Sequence, residues 1–204
     1  MRSRTTRRDF LWMMGAAAGV AVGATLPGIP TNASGATSPS PGKPEKQLLG
    51  KTGFQVGTVG FGAMITRDPE VIRFAVERGV DYVDTAAAYM GGENERIVGR
   101  ALAGIRDKVV LATKVRIGAV DQMIRSAENS LRSLNVDVID LLQLHGISTE
   151  AEVTDEGARE VFQKLIAQGK VRAAGVTTHS GQETVLRAVA KQGFYKTVLV
   201  AYNF

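Results

Sequence analysis

A chain of 204 residues, 44% hydrophobic and 22% charged, is long enough for one domain with a buried core and too apolar to be disordered. It has no cysteine, which excludes a disulfide framework, thiolate metal sites, iron–sulfur ligation by cysteine and a lipoprotein anchor through an N-terminal cysteine. The net charge of +5 is concentrated at the front: setting aside Arg2, Arg4, Arg7, Arg8 and Asp9 leaves 21 basic and 19 acidic residues, too weak a footprint for a nucleic-acid binder.

Residues 1–36 form a targeting segment, separate from the fold. Arg7 and Arg8 stand directly before the uncharged run LWMMGAAAGVAVGATL, a pattern that resembles a twin-arginine export signal. The resemblance implies the export machinery as a partner and the periplasm as the destination. Small residues at Thr31 and Ala33, or Ser34 and Ala36, offer cleavage sites. The apolar run is shorter than the ~20 residues of a spanning helix, so an uncleaved membrane anchor is the alternative, and membrane contact is limited to this segment. Residues 37–46, TSPSPGKPEK, carry Pro39, Pro41 and Pro44 and read as an extended linker.

The domain proper is expected over 47–204. A hairpin turning at Lys51, Thr52 and Gly53 leads into alternating strands and helices. Strands are predicted near 59–63, 80–86, 108–114, 137–145, 171–178 and 197–203. Between them, Asp68 and Pro69 open a helix with Val71, Ile72, Ala75 and Val76 facing the sheet. A second helix carries Ile97, Val98, Ala101 and Leu102. A third carries Val120, Ile124, Ala127, Leu131 and Leu134, and a fourth Ala158, Val161, Phe162, Leu165 and Ile166. Ser180 and Glu183 have the spacing of a capping box for a fifth, with His179 beside its cap. Short apolar strands alternating with amphipathic helices indicate an α/β fold of the (β/α)8 TIM barrel type. Six strands are present where a closed barrel has eight, so the expectation is a barrel carried only through about its sixth strand, with open edges and impaired activity.

Three of the strands close on an ionisable residue: DYVD on Asp84, KVVLATK on Lys114 and VIDLLQLH on His145. In a parallel barrel these would meet at one rim, where active sites of that fold lie, with Tyr89 hanging over it from a small-residue loop. These segments resemble the aldo-keto reductase family, whose pattern includes D-T-A-x-x-Y followed by an N-E-x-x-x-G helix, an A-T-K strand end and a D-x-L-x-L-H strand end. LGKTGFQVGTVGFGAM, GVTTHS and AYNF resemble the family's opening hairpin and first strand, its fifth strand end and its sixth.

The resemblance implies reduction of an aldehyde or ketone to an alcohol with NADP(H) or NAD(H) as hydride source. Tyr89 would be the general acid, its phenol activated by the Lys114 ammonium. Asp84 would hold Lys114, and His145, with a near-neutral pKa, would donate to the carbonyl oxygen or relay the proton. Thr177, Thr178, Tyr202 and Asn203 would bind the cofactor. Thr178 stands where the family often has Asn, and Leu199 where it has Gln, so two amide contacts are missing. Two histidines and no cysteine give a metal site little support. The rival readings are a non-catalytic barrel module that binds a partner and an inactive fragment of a gene.

Overall fold

The computed structural model describes residues 45–202. The expectations for the export signal, for most of the linker and for Asn203 lie outside the described residues. A hairpin comes first, with β1 (Lys46–Leu48) antiparallel to β2 (Gln55–Gly57). Then strands and helices alternate: β3 (Phe61–Gly62), α1 (Pro69–Glu77), β4 (Tyr82–Asp84), α2 (Glu93–Leu102), β5 (Val110–Val115) and α3 (Val120–Leu134). After β6 (Ile139–Leu144) come α4 (Glu150–Val153) and α5 (Glu156–Ala167), then β7 (Val171–Thr178), α6 (Gln182–Gln192) and β8 (Thr197–Val200). β3 to β8 pair in parallel and in chain order, the α/β architecture expected, with the helices as crossovers.

The local signals act as their chemistry requires. Asp68 accepts a hydrogen bond from the Glu70 N–H at 3.0 Å, and Pro69, which has no N–H to satisfy, takes the first helical position. Asp155 caps α5 by accepting from the Ala158 N–H at 2.7 Å. The Ser180–Glu183 capping box does not form, nor does His179 lie beside a side-chain cap. α6 starts at Gln182 with Gly181 as its cap, in the left-handed region at φ +63°, and a side chain there would collide with the Ser148 carbonyl. The reciprocal capping box occurs instead on the short α4, between Thr149 and Glu152.

Two cores lie on the two faces of the sheet. On the outer face Ile72, Val98, Leu111, Met123, Leu142, Phe162 and Val185 join strands to helices, and full burial of such side chains stabilises by about 1.5–3 kcal/mol each. Val71 and Ile166 were expected on the apolar faces of their helices but are 50% and 37% exposed. Each sits on the margin of a stripe that a short helix can seat only along its centre. The inner face is smaller: Ala112, Leu141 and Ala173 pack with Tyr82 and with Leu49 and Phe54 beside the hairpin turn. That turn is closed by the Leu49 N–H on the Phe54 carbonyl at 2.8 Å, so the hairpin covers the N-terminal end of the strands.

Strand register stacks the inner-face residues in rows. Asp84, Ala112, Leu141 and Ala173 form one row, and Lys114, Gln143, Gly175 and Thr197 the next. Thr177 and Leu199 follow toward the C-terminal end. The inner face therefore changes from apolar to polar as the strands approach their C-terminal rim.

Candidate active site

The rim is built from chain ends held by backbone bonds. After β4, the Thr85 N–H donates to Ala112 O at 2.9 Å and the Ala87 N–H to Lys114 O at 3.3 Å, which ties the outgoing loop to β5. Tyr89 opens a short 3-10 turn, Tyr89–Gly92, in which Met90, Gly91 and Gly92 are all left-handed, at φ +51°, +64° and +94°. Two glycines accept that conformation freely; Met90 does so at a cost, with its sulfur receiving the Asn94 Nδ2–H at 3.5 Å. The reversal sends the chain into α2. Past β6, the His145 N–H donates to Val115 O at 2.9 Å and the Gly146 N–H to Thr177 Oγ1 at 2.9 Å, so β5 and β7 both hold the loop that carries the imidazole.

Asp84, Tyr89, Lys114 and His145 come together. The buried Lys114 ammonium makes an ion pair with Asp84 Oδ1 and donates to Thr85 O at 2.7 Å. It also lies 4.7 Å from the centre of the Tyr89 ring, within cation–π range. The Tyr89 and His145 rings meet edge to face, centroids 5.6 Å apart at 84°. Two residues that sequence reasoning passed over complete the support of Asp84. Gln143 Nε2 donates to its second oxygen at 3.0 Å, and the Tyr82 hydroxyl donates as well.

Burial raises the pKa of Asp84; the Lys114 charge is the main opposing influence, helped by the hydrogen bonds from Lys114, Gln143 and Tyr82. The Tyr82 phenol is pushed up, first by burial and then by the adjacent Asp84 charge. His145 is pushed down to about 4, first by burial and then by Lys114, Arg116 and His179. The near-neutral value expected from sequence does not hold. His145 is an uncharged ring at neutral pH with one N–H to give, and its Nδ1 is buried without a hydrogen-bond partner.

Thr177 and Thr178 are buried at the same rim. Thr177 Oγ1, besides accepting from Gly146, lies 3.3 Å from Leu144 O, and the Thr178 hydroxyl donates to Ser180 O at 2.7 Å. Tyr202 is 77% exposed at the far side of β8, beside α6. Among the described residues no group of three or more acidic or histidine side chains is placed to hold a metal ion.

The helix after Tyr89 explains its own pattern. The fully buried Asn94 accepts from Thr85 Oγ1 at 2.6 Å and donates to Ala63 O at 2.7 Å, which staples the ends of β3 and β4 to α2. Glu95 accepts from Thr113 Oγ1 at 2.6 Å. A Cβ on Gly99 would come within 2.5 Å of Leu134 O, so only glycine lets α2 seat against α3.

Residues 56–204 match the sequence model of the Aldo/keto reductase family. The chain is 40% identical over 147 residues to aldo-keto reductase YhdN of Bacillus subtilis (strain 168), covering 66% of this chain and 44% of that protein. It is 42% identical over 109 residues to methylglyoxal reductase YeaE of Escherichia coli (strain K12), covering 52% and 37%. Among solved structures, the holo form of aldo-keto reductase AKR11C1 from Bacillus halodurans superposes with a TM-score of 0.66 at 30% identity, over 78% of this chain and 57% of that one. An aldo/keto reductase from Klebsiella pneumoniae in complex with NADP and acetate gives 0.59 at 30% identity, over 70% and 52%. The chain spans about half the length of the curated relatives it matches. Its strands form the first six of a (β/α)8 barrel. By family sequence and by strand order, the chain belongs to the aldo/keto reductase family.

Proposed function

We propose that this chain carries the catalytic residues of an NAD(P)H-dependent oxidoreductase that reduces a small aldehyde or ketone to an alcohol. The observation that carries the reading is the Lys114 ammonium, paired with Asp84 and placed under the Tyr89 ring with the His145 ring edge-on beside it. The inner mouth fits the nicotinamide end of a cofactor: Leu199 is 43% exposed there, and Gln143 Oε1 and Thr197 Oγ1 are buried without partners one row below. Thr177, Thr178, Tyr202 and Asn203 are the residues proposed to hold it, as NADP(H) or NAD(H). When bound, the nicotinamide supplies the hydride.

The protein's own part is the proton. Tyr89 gives its phenolic proton to the carbonyl oxygen, and the Lys114 ammonium stabilises the phenolate left behind. Asp84 holds Lys114 in place through the ion pair, while neutral His145 donates its N–H to the same oxygen. Gln143 and Tyr82 act through Asp84 and are positioning residues. A module that binds a partner without turnover is the second reading, favoured by Leu199, which offers no amide, and by the Thr178 hydroxyl, whose proton is already given to Ser180 O.

The test is NADPH oxidation by the full chain with methylglyoxal and with simple ketones. Lys114→Met should lower kcat by about 10² or more, in the range of general-acid contributions. Absence of turnover with every carbonyl, or a Lys114→Met chain that keeps most of its activity, sinks the catalytic reading. Export to the periplasm through the twin-arginine route is proposed on Arg7 and Arg8. Changing both to Lys should leave the protein in the cytoplasm, and undiminished export would remove that assignment.

A further inference from the structure

The cleft beside Lys114 and His145 has a volume of about 320 Å3, and its other wall is formed by Arg116, Gln122 and Ser126. No carboxylate lines it. Lys114 reaches the cleft as an ammonium already paired with Asp84. Arg116 follows Lys114 by two residues, just past the end of β5. It is exposed, and it makes no ion pair or side-chain hydrogen bond among the described residues. Its field nevertheless reaches the site, where it disfavours a charge on His145. Gln122 and Ser126 are four positions apart on α3, so they present an amide and a hydroxyl on one helix face toward the same cleft. An uncompensated guanidinium in a concave wall raises the local concentration of anions and orders them by its planar fork of donors.

We infer that the site selects carbonyl compounds carrying a carboxylate next to the reacting carbonyl, the 2-oxo acids, with Arg116 holding the carboxylate. The identity of the anion follows from charge and size. One free guanidinium balances one carboxylate, whereas a phosphate dianion would need a second free cation, and Lys114 is already paired. A cleft of this volume is at the small end for ligand sites and suits a compound of a few carbons. The assignment rests on and deepens the proposed carbonyl reduction, since a carboxylate at Arg116 would leave the adjacent carbonyl toward His145, which lines the cleft and whose ring Tyr89 meets edge to face.

The experiment is calorimetric titration of the full chain, with and without NADP, using oxamate, its neutral counterpart oxamide and inorganic phosphate. Oxamate should bind at least about tenfold more tightly than oxamide, the effect of one charge-assisted contact. Arg116→Met should reduce oxamate affinity to the oxamide level and leave oxamide unchanged, while Arg116→Lys keeps part of the preference. Arg116 is exposed, so both variants should fold as the parent does. Failure of oxamate to bind, equal affinity for oxamate and oxamide, or unchanged oxamate binding by Arg116→Met overturns the inference. Tighter binding of phosphate than of oxamate overturns the choice of a carboxylate. Titration needs no turnover, so failure of this assignment and failure of the reductase reading appear in separate measurements.

Discussion

Asp84 and Asp140 are both buried aspartates on strands of the same sheet, yet they are satisfied in different ways. Asp140, near the N-terminal end of β6, receives Arg106 at 2.6 Å, Arg172 at 2.8 Å and the Leu111 N–H at 2.8 Å. Two guanidinium groups and a backbone amide leave it nothing further to do, and it clamps β5, β6 and β7 together. Asp84, at the C-terminal end of β4, has one cation, and that cation also faces an aromatic ring and an open cleft. The lesson is that burial and an ion pair do not mark a site. What distinguishes Asp84 is that its partner also faces the Tyr89 ring and the cleft.

The comparison breaks if the two ends respond alike to mutation. Asp140→Ala should cost about 3 kcal/mol of stability, from an orphaned amide and two unbalanced cations, with the exposed Arg172 contributing least. The kcat of the folded fraction should not change. Tyr89→Phe should do the reverse, lowering kcat by about 10² or more while denaturant midpoints stay close to the parent's. A large kcat loss in Asp140→Ala, or a large stability loss in Tyr89→Phe, would erase the distinction.

A finer test removes a donor from each aspartate. Gln143→Leu takes a hydrogen bond from the Asp84 carboxylate, whose pKa burial already raises, so the carboxyl should take up a proton at higher pH than in the parent. The acid limb of kcat/KM should move to higher pH, with a loss of up to about tenfold at the plateau. Arg172→Gln at the opposite end should leave the pH profile in place. A Gln143→Leu profile that superposes on the parent's would show that Gln143 only fills space.

The smallest effect concerns His145. Its folded pKa, about 4, lies below its ordinary 6.5, so between these values the unfolded chain binds a proton that the folded chain does not. Stability is then fully present above 6.5 and is lost as pH falls toward 4. The half-exposed ring is screened by solvent, so the loss should be on the order of 1 kcal/mol. His145→Gln should flatten that part of the stability curve, read from urea midpoints across the interval. An unchanged slope would assign it to other groups.

The strand ends were legible because an apolar run that meets an ionisable residue has few structural excuses: β4 ends on Asp84, β5 one residue past Lys114, and β6 one residue before His145. Gln143 and Tyr82 were not. Within VIDLLQLH and DYVD each looks like an ordinary strand position; Gln143 reaches Asp84 from a strand 59 residues on, and Tyr82 donates to it from two residues back on the same strand. Asp140 was hidden in the same way, since its partners Arg106 and Arg172 lie 34 and 32 residues away in the chain. The Gly181 cap escaped because the reason for glycine is the Ser148 carbonyl, on a different loop. Local chemistry announced the helix that Asp68 opens, whereas tertiary proximity decided where α6 begins.

The missing side chain at Gly99 has a mechanical consequence. Glu93 to Gly99 is about 9 Å of rigid helix, and its near end is joined to Tyr89 by three residues whose left-handed backbone leaves little slack. A methyl group at position 99 would lift α2 from the Leu134 carbonyl, and the tilt would be delivered through that stiff connection to the phenol. The contact between α2 and α3 is therefore the pivot of a short arm whose other end carries Tyr89. A Gly99→Ala chain can keep every residue of the rim and still aim Tyr89 at the wrong place.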